Sequence, residues 1–357
     1  MKKVKSIKKI IIAILGVLII SPLVILPMVS VIVYESIFNT RYKTESWLEF
    51  SASEYEGLSV ERSDFQYGDI ALAGYKYAKQ NEKAKGVVVI AHGLGGGGHN
   101  SYMPIIDYFT SSGYYVFAYD AIGNDNSDGD AVEGFPEGVI CLDLALDHAA
   151  AVEEYQGLPF TLFGHSWGGY SVGNVLNFHP EVKAAVIVSG FNESEDLIAY
   201  HGERNAGSAA LMLMPLVTLY ERIKFGEKYT DISALGGFEN TDAGIMIIHS
   251  ENDATVPMEY GYGKFYEHYA DSWRFEFISY EDRGHSYLFY SQASKEYRER
   301  LNADYTDYVE NNGKEYSAEV KTEFMSLYLD KKKAFEPDSE LMERIISLFD
   351  NYCVNTR

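Results

Sequence analysis

Three side chains in this sequence have the types and order needed for nucleophilic chemistry. The segment Phe163-Gly164-His165-Ser166-Trp167-Gly168-Gly169 holds a serine in a G-x-S-x-G frame. A serine on a tight strand-to-helix turn needs little bulk two positions to either side, and glycine supplies that. A helix starting behind it would stabilise negative charge developing at the site. A serine hydroxyl is a weak nucleophile without a base. Two later loops, Ser250–Pro257 and Tyr280–Ser286, offer Asp253 and His285 in the chain order Ser, Asp, His. An imidazole takes the serine proton, and a buried carboxylate holds that imidazole in the right tautomer. Glu251 is the nearest rival to Asp253 but sits two residues closer to the preceding strand. The oxyanion needs donors, and the backbone N–H groups of Leu94 and Trp167 are expected to provide them.

These residues need a frame that brings separate loops together. Gly86–Ala91 (GVVVIA) is a compact β-branched run, the pattern of a strand buried on both faces, and it leads into His92-Gly93-Leu94-Gly95-Gly96-Gly97-Gly98. Tyr114–Tyr119, Phe160–Phe163, Ala184–Ser189, Gly244–His249 and Arg274–Ser279 read as further strands. Tyr102–Ser111, Gly138–Tyr155 and Gly169–Phe178 read as helices between them. Ser59–Phe65 and Ile70–Tyr77 read as a strand pair turning at Tyr67-Gly68-Asp69. Strands alternating with helices predict an α/β fold, a mainly parallel sheet covered on both sides. Ser166, Asp253 and His285 then all fall beyond strand ends, where they can meet.

Other motifs are weaker. The glycine run 95–98 lacks the G-K-[ST] ending of a nucleotide-binding loop, and no G-x-G-x-x-G opens a helix early in the domain. His92 is expected to brace its loop. Asp125, Asp128 and Asp130 do not continue into a calcium-loop pattern and read as a solvated acidic loop. No histidine–cysteine cluster has zinc spacing. The reading therefore calls for no cofactor and no metal. The two cysteines, Cys141 and Cys353, are expected to be free apolar thiols, with a disulfide between them outside the cell as the alternative.

Four motifs in order, HG-L-GG at 92–96, GHSWGG at 164–169, ENDATVP at 251–257 and GH at 284–285, make residues 58–290 resemble the α/β-hydrolase superfamily. Within it the chain is similar to the serine-aminopeptidase-like and monoacylglycerol-lipase-like hydrolases. That resemblance implies hydrolysis of esters of apolar acyl groups, with a Ser166–His285–Asp253 triad. One departure is evident. The superfamily's D-x-R-G-x-G-x-S-x-G loop runs from Asp120 to Gly129, with Ile122 in place of the arginine and Asp125 in place of a glycine. The contacts of this loop must therefore differ.

The full sequence has 357 residues, with 52 acids against 30 lysines and arginines and a net charge of -22. Such a surface repels phosphates, so nucleic acid is not an expected partner. The first 34 residues carry Lys2, Lys3, Lys5, Lys8 and Lys9 and no acid, and the lysines are followed by the uncharged stretch 10–34. A basic tail (1–9) and an apolar run of this length predict a transmembrane signal anchor in the lipid bilayer. A single-pass protein of the cell membrane, with its catalytic domain outside, is the expectation. A cleaved export signal is the alternative, although the run is long for one and no Ala-x-Ala site follows.

The remaining layout is a connector (35–57), a hydrolase core (58–290) with a helical cap (191–243), and a helical C-terminal extension (291–357). Leu211, Met212, Met214, Leu216 and Leu219 in the cap, with Trp167, suggest an acyl pocket, or else the cap's own packing face. The expected substrate is a small-molecule ester of a short or medium acyl chain. A membrane-anchored aminopeptidase is the alternative enzyme, with Glu193, Glu195 and Asp196 as candidate anchors for an ammonium group. A non-catalytic binding module on a hydrolase fold is the third reading.

Overall fold

A computed structural model of the protein describes residues 23–79 and 84–353. Its strands follow the β-rich apolar runs. They are β1 (Leu58–Arg62), β2 (Phe65–Tyr67), β3 (Ile70–Leu72), β4 (Gly74–Lys79), β5 (Val87–Ala91), β6 (Tyr115–Tyr119), β7 (Phe160–His165), β8 (Ala184–Val188), β9 (Gly244–Ser250) and β10 (Phe275–Tyr280). Eight of them form one sheet in the order β1-β4-β6-β5-β7-β8-β9-β10. The β1–β4 and β4–β6 pairs are antiparallel, and the others are parallel.

The first strands are more divided than a single hairpin. β2 and β3 make a separate ribbon around Gly68, whose φ is 58°, while β1 pairs with β4 in the main sheet. Gly74 opens β4 against the Ser63 carbonyl and the Phe117 ring, with no room there for a Cβ. That close approach separates the ribbon from the sheet.

β5, β8 and β9 are buried along their whole length because helices cover both faces. On one face lie the helices Phe135–Ala151 and Trp167–Val175, packed through Leu142, Ala145, Val172 and Val175. On the other lie Met103–Ser111 and the final helix Ser339–Cys353, through Ile105, Phe109, Leu341, Ile345 and Phe349. Cys141 and Cys353 fall in these two separate cores and are both free and buried. β5 is flanked by β6 on one side and β7 on the other. The chain thus winds out in two directions and opens a crevice at the carboxyl ends of the strands.

Between β8 and β9 the chain forms the helices Ser194–Ala206, Met214–Phe225, Glu227–Thr230 and Ala234–Glu239. Beyond β10 it forms Gln292–Asn311, Ala318–Tyr328 and Lys331–Ala334 before the final helix.

The N-terminal expectation requires correction. Residues 1–22, including the basic tail and the first half of the 10–34 stretch, lie outside the described residues. The rest of that stretch belongs to a helix over 23–38. Among the described residues no helix is long and apolar enough to cross a membrane. The inner side of 23–38 is fixed to protein instead. Tyr34 and Phe38 are buried beside Met214 and Val217, and the Tyr34 hydroxyl donates to Glu221 Oε1 at 2.7 Å. Glu35 pairs with Lys224 at 2.6 Å. The signal anchor, the bilayer as partner and the single-pass placement are therefore not supported.

Candidate active site

Ser166 occupies the turn between β7 and the helix Trp167–Val175, with φ 58° and ψ -118°. A non-glycine residue seldom adopts positive φ, and here the neighbours enforce it. A Cβ on Gly164 would meet the Gly168 carbonyl, and one on Gly168 would meet the Ala91 carbonyl. The two glycines of the G-x-S-x-G frame are thus what lets the turn sit against β5. The Ser166 N–H donates to Val188 O at 2.8 Å, fastening the turn to the end of β8.

Ser166 Oγ lies 2.8 Å from His285 Nε2, and His285 Nδ1 lies 2.7 Å from Asp253 Oδ2. The Asp253 side chain is fully buried. Its Oδ1 accepts from the amides of Thr255 and Val256, both at 2.9 Å, and its Oδ2 accepts from the Ser189 hydroxyl at 2.8 Å. Burial alone would raise this carboxyl. The hydrogen bond and charge of His285, with the Val256 amide and Ser189 hydroxyl, overcome that and bring it down to about 2. Glu251 does not join this line. Its side chain is exposed, and its amide donates to the Tyr280 carbonyl.

Leu94 lines the same cavity as Ser166 and His285. Trp167 is the first residue of its helix, where a backbone N–H has no carbonyl one turn back to serve. Its side chain is buried under the site and donates from Nε1 to Phe135 O at 2.9 Å. The indole is therefore no part of a substrate pocket. His92 braces its loop as expected: Nε2 accepts from the Ala121 amide at 2.9 Å, tying the ends of β5 and β6 together.

The cavity holding Ser166 measures about 220 Å³. Its walls come from Trp47 and Leu48 of the connector and from Phe289, Tyr290, Arg298 and Phe335 beyond β10. The residues that line it include none from 191–243. The apolar cap run does something else. Met214 packs against Tyr34 and Phe38, while Met212 and Leu219 are exposed. Sequence spacing offered no signal for the true walls, because they join segments some 250 residues apart.

The Asp120–Gly129 loop also departs from expectation. In place of an arginine at Ile122, Arg41 of the connector donates to the carbonyls of Gly129, Asp125 and Ser127. Asp125 is not simply solvated: it accepts from the Thr44 amide and hydroxyl and from the Gly98 amide. Asp120 is buried against His99 Nδ1 at 2.7 Å.

The chain is similar to several known proteins. Residues 82–233 match the family model of the S33 serine aminopeptidases. Caffeoylshikimate esterase of Arabidopsis thaliana is 32% identical over 128 residues, covering 34% of this chain and 39% of that protein. Proline iminopeptidase of Clostridioides difficile is 30% identical over 124 residues, covering 34% of this chain and 41% of that protein. The matches thus span about two fifths of these relatives' length. An esterase of Pyrococcus furiosus superposes with a TM-score of 0.53 at 15% identity, over 76% of this chain and 98% of its own. The chain belongs to the α/β-hydrolase superfamily.

Proposed function

We propose that the protein is a serine hydrolase that cleaves small carboxylic esters through an acyl-enzyme on Ser166. The observation that carries this is the continuous hydrogen-bonded line from Ser166 Oγ through His285 to a buried Asp253. In this reading His285 Nε2 takes the hydroxyl proton as Oγ attacks the ester carbonyl. The amides of Leu94 and Trp167 receive the oxyanion. His285 then gives its proton to the leaving alkoxide, and the alcohol departs. Water, deprotonated by the same nitrogen, attacks the acyl carbonyl and releases the acid and Ser166. Asp253 stays anionic throughout, which keeps the Nδ1 proton of His285 in place.

A cavity of about 220 Å³ supports short acyl groups over long ones. Peptide cleavage is the second reading, favoured by the family model and by the iminopeptidase relative. The acids that could anchor a substrate amine speak against it. Asp196 pairs with Lys264 at 2.6 Å, and neither it, Glu193 nor Glu195 lines the cavity.

The test is kcat/KM for p-nitrophenyl esters of graded chain length beside aminoacyl p-nitroanilides. An apolar wall gains roughly 0.8 kcal/mol per buried CH₂, up to about fourfold in rate for each methylene until the cavity is full. Ester rates should rise over the first few carbons and then fall. Rapid anilide cleavage with a flat ester profile would favour the peptidase reading.

A further inference from the structure

The cavity at Ser166 contains one residue with a permanent charge, Arg298, on the helix Gln292–Asn311. Arg62, Arg222, Arg283 and Arg344 each pair with a carboxylate. So does Lys295, one turn earlier on the same helix as Arg298: it is held by Asp282 at 2.7 Å and by Glu299 at 3.5 Å. Arg298 pairs with no Asp or Glu among the described residues. Among these residues its one hydrogen bond is a long one, from Nη1 to the Ser286 carbonyl at 3.4 Å.

What holds Arg298 is aromatic. The guanidinium lies 4.5 Å from the ring centre of Tyr287, 4.9 Å from that of Phe335 and 5.5 Å from that of Tyr290. Stacking uses the faces of the planar group and leaves its N–H edge unspent. That edge is a fork matched to the two oxygens of a carboxylate. Three rings fix its orientation in advance, so little side-chain freedom is lost when an anion binds.

We propose that Arg298 is an anion subsite beside the reactive serine, and that the preferred esters carry a carboxylate as well as the scissile bond. This rests on the reading of Ser166 as nucleophile and narrows it to a substrate class: small monoesters of dicarboxylic acids, or esters with a carboxylate on the alcohol. Trp47, Leu48 and Phe289 then face the apolar body between the two ends. The proposal also gives the segments beyond β10 a part in recognition, since they supply both the charge and the rings that aim it.

The experiment compares p-nitrophenyl butyrate with p-nitrophenyl hemiglutarate, which adds a terminal carboxylate to a similar acyl chain. The wild-type chain and its Arg298→Gln and Arg298→Lys variants are measured. The wild-type ratio of kcat/KM, hemiglutarate over butyrate, should be about tenfold or more, the range expected of one charge-assisted pair. Arg298→Gln should abolish the preference, mainly through KM, and Arg298→Lys should keep part of it. A wild-type preference for butyrate, or a ratio unchanged in Arg298→Gln, would overturn the proposal.

Should neither ester be cleaved, the hydrolase reading fails separately. Calorimetric titration of glutarate into Ser166→Ala and into Ser166→Ala/Arg298→Gln still decides the subsite. Binding to the first alone supports it, and equal or absent binding in both overturns it.

Discussion

His165 Nε2 lies 2.8 Å from the carbonyl oxygen of His285, so the residue before the elbow serine carries the loop that bears the histidine. A carbonyl can only accept, which puts the proton on Nε2 and leaves His165 Nδ1 as an acceptor. The Tyr102 hydroxyl lies 3.1 Å from that Nδ1 and accepts in turn from the Gly93 amide at 3.0 Å. Burial, with His285 nearby, lowers His165 to about 3, so it stays neutral as this chain requires. One relay therefore joins the Gly93-Leu94 loop, the elbow and the His285 loop.

Tyr102→Phe breaks that relay in the middle while keeping the ring that stacks on Phe289. The expected result is a fall in kcat of about tenfold with a stability loss of about 2–4 kcal/mol, since the buried Gly93 amide and His165 Nδ1 both lose their partner. Steady-state kinetics beside a urea titration measures both. Unchanged kcat would remove the relay from the account.

Asp253→Asn and Glu251→Gln separate the two acids of the ENDATVP loop. Losing the partner of His285 Nδ1 should lower kcat by about 10⁴-fold. Glu251→Gln, which alters only an exposed side chain, should stay within about threefold. The reverse order would transfer the role.

The parallel strands and the elbow turn were legible in the sequence because each has a local cause. A β-branched run buried on both faces has one reading, and Gly164 and Gly168 mark where a Cβ cannot fit. The cavity walls were not legible. Apolar periodicity in 209–220 shows that a face is buried without saying against what, and its partner proved to be the helix carrying Tyr34 and Phe38. Arg41 escaped for a similar reason. Ile122 showed that the superfamily's arginine was missing from its loop, but nothing local says that a guanidinium arrives from the connector.

Substitutions on the two apolar surfaces should have different consequences. Leu48→Ala enlarges the cavity and should move the ester optimum toward longer acyl chains. Met214→Ala removes a buried contact with the 23–38 helix and should cost about 2 kcal/mol in unfolding free energy while leaving the optimum in place. Chain-length profiles and urea unfolding on both variants check this. A shifted optimum in Met214→Ala would return the cap to the pocket.

Glu137 sets a pH dependence of stability. Burial, opposed by the Glu133 amide, raises its carboxyl from 4.5 to about 8. The folded state then holds a proton that the unfolded state has released above its ordinary value. That contribution is complete below pH 4.5 and disappears as pH rises to about 8. Unfolding free energy should therefore decline across this window, and Glu137→Gln should flatten the decline. An equally steep curve in the variant would assign the slope to another group.

Every step proposed for this site depends on a covalent acyl bond at Ser166. Whether that bond forms is read by labelling the wild-type chain with a fluorophosphonate probe and locating the adduct by peptide mass spectrometry. A single adduct on Ser166, abolished in a folded Ser166→Ala variant, is the expected result. An adduct on another residue, or labelling that persists in Ser166→Ala, would take the nucleophile's role away from Ser166.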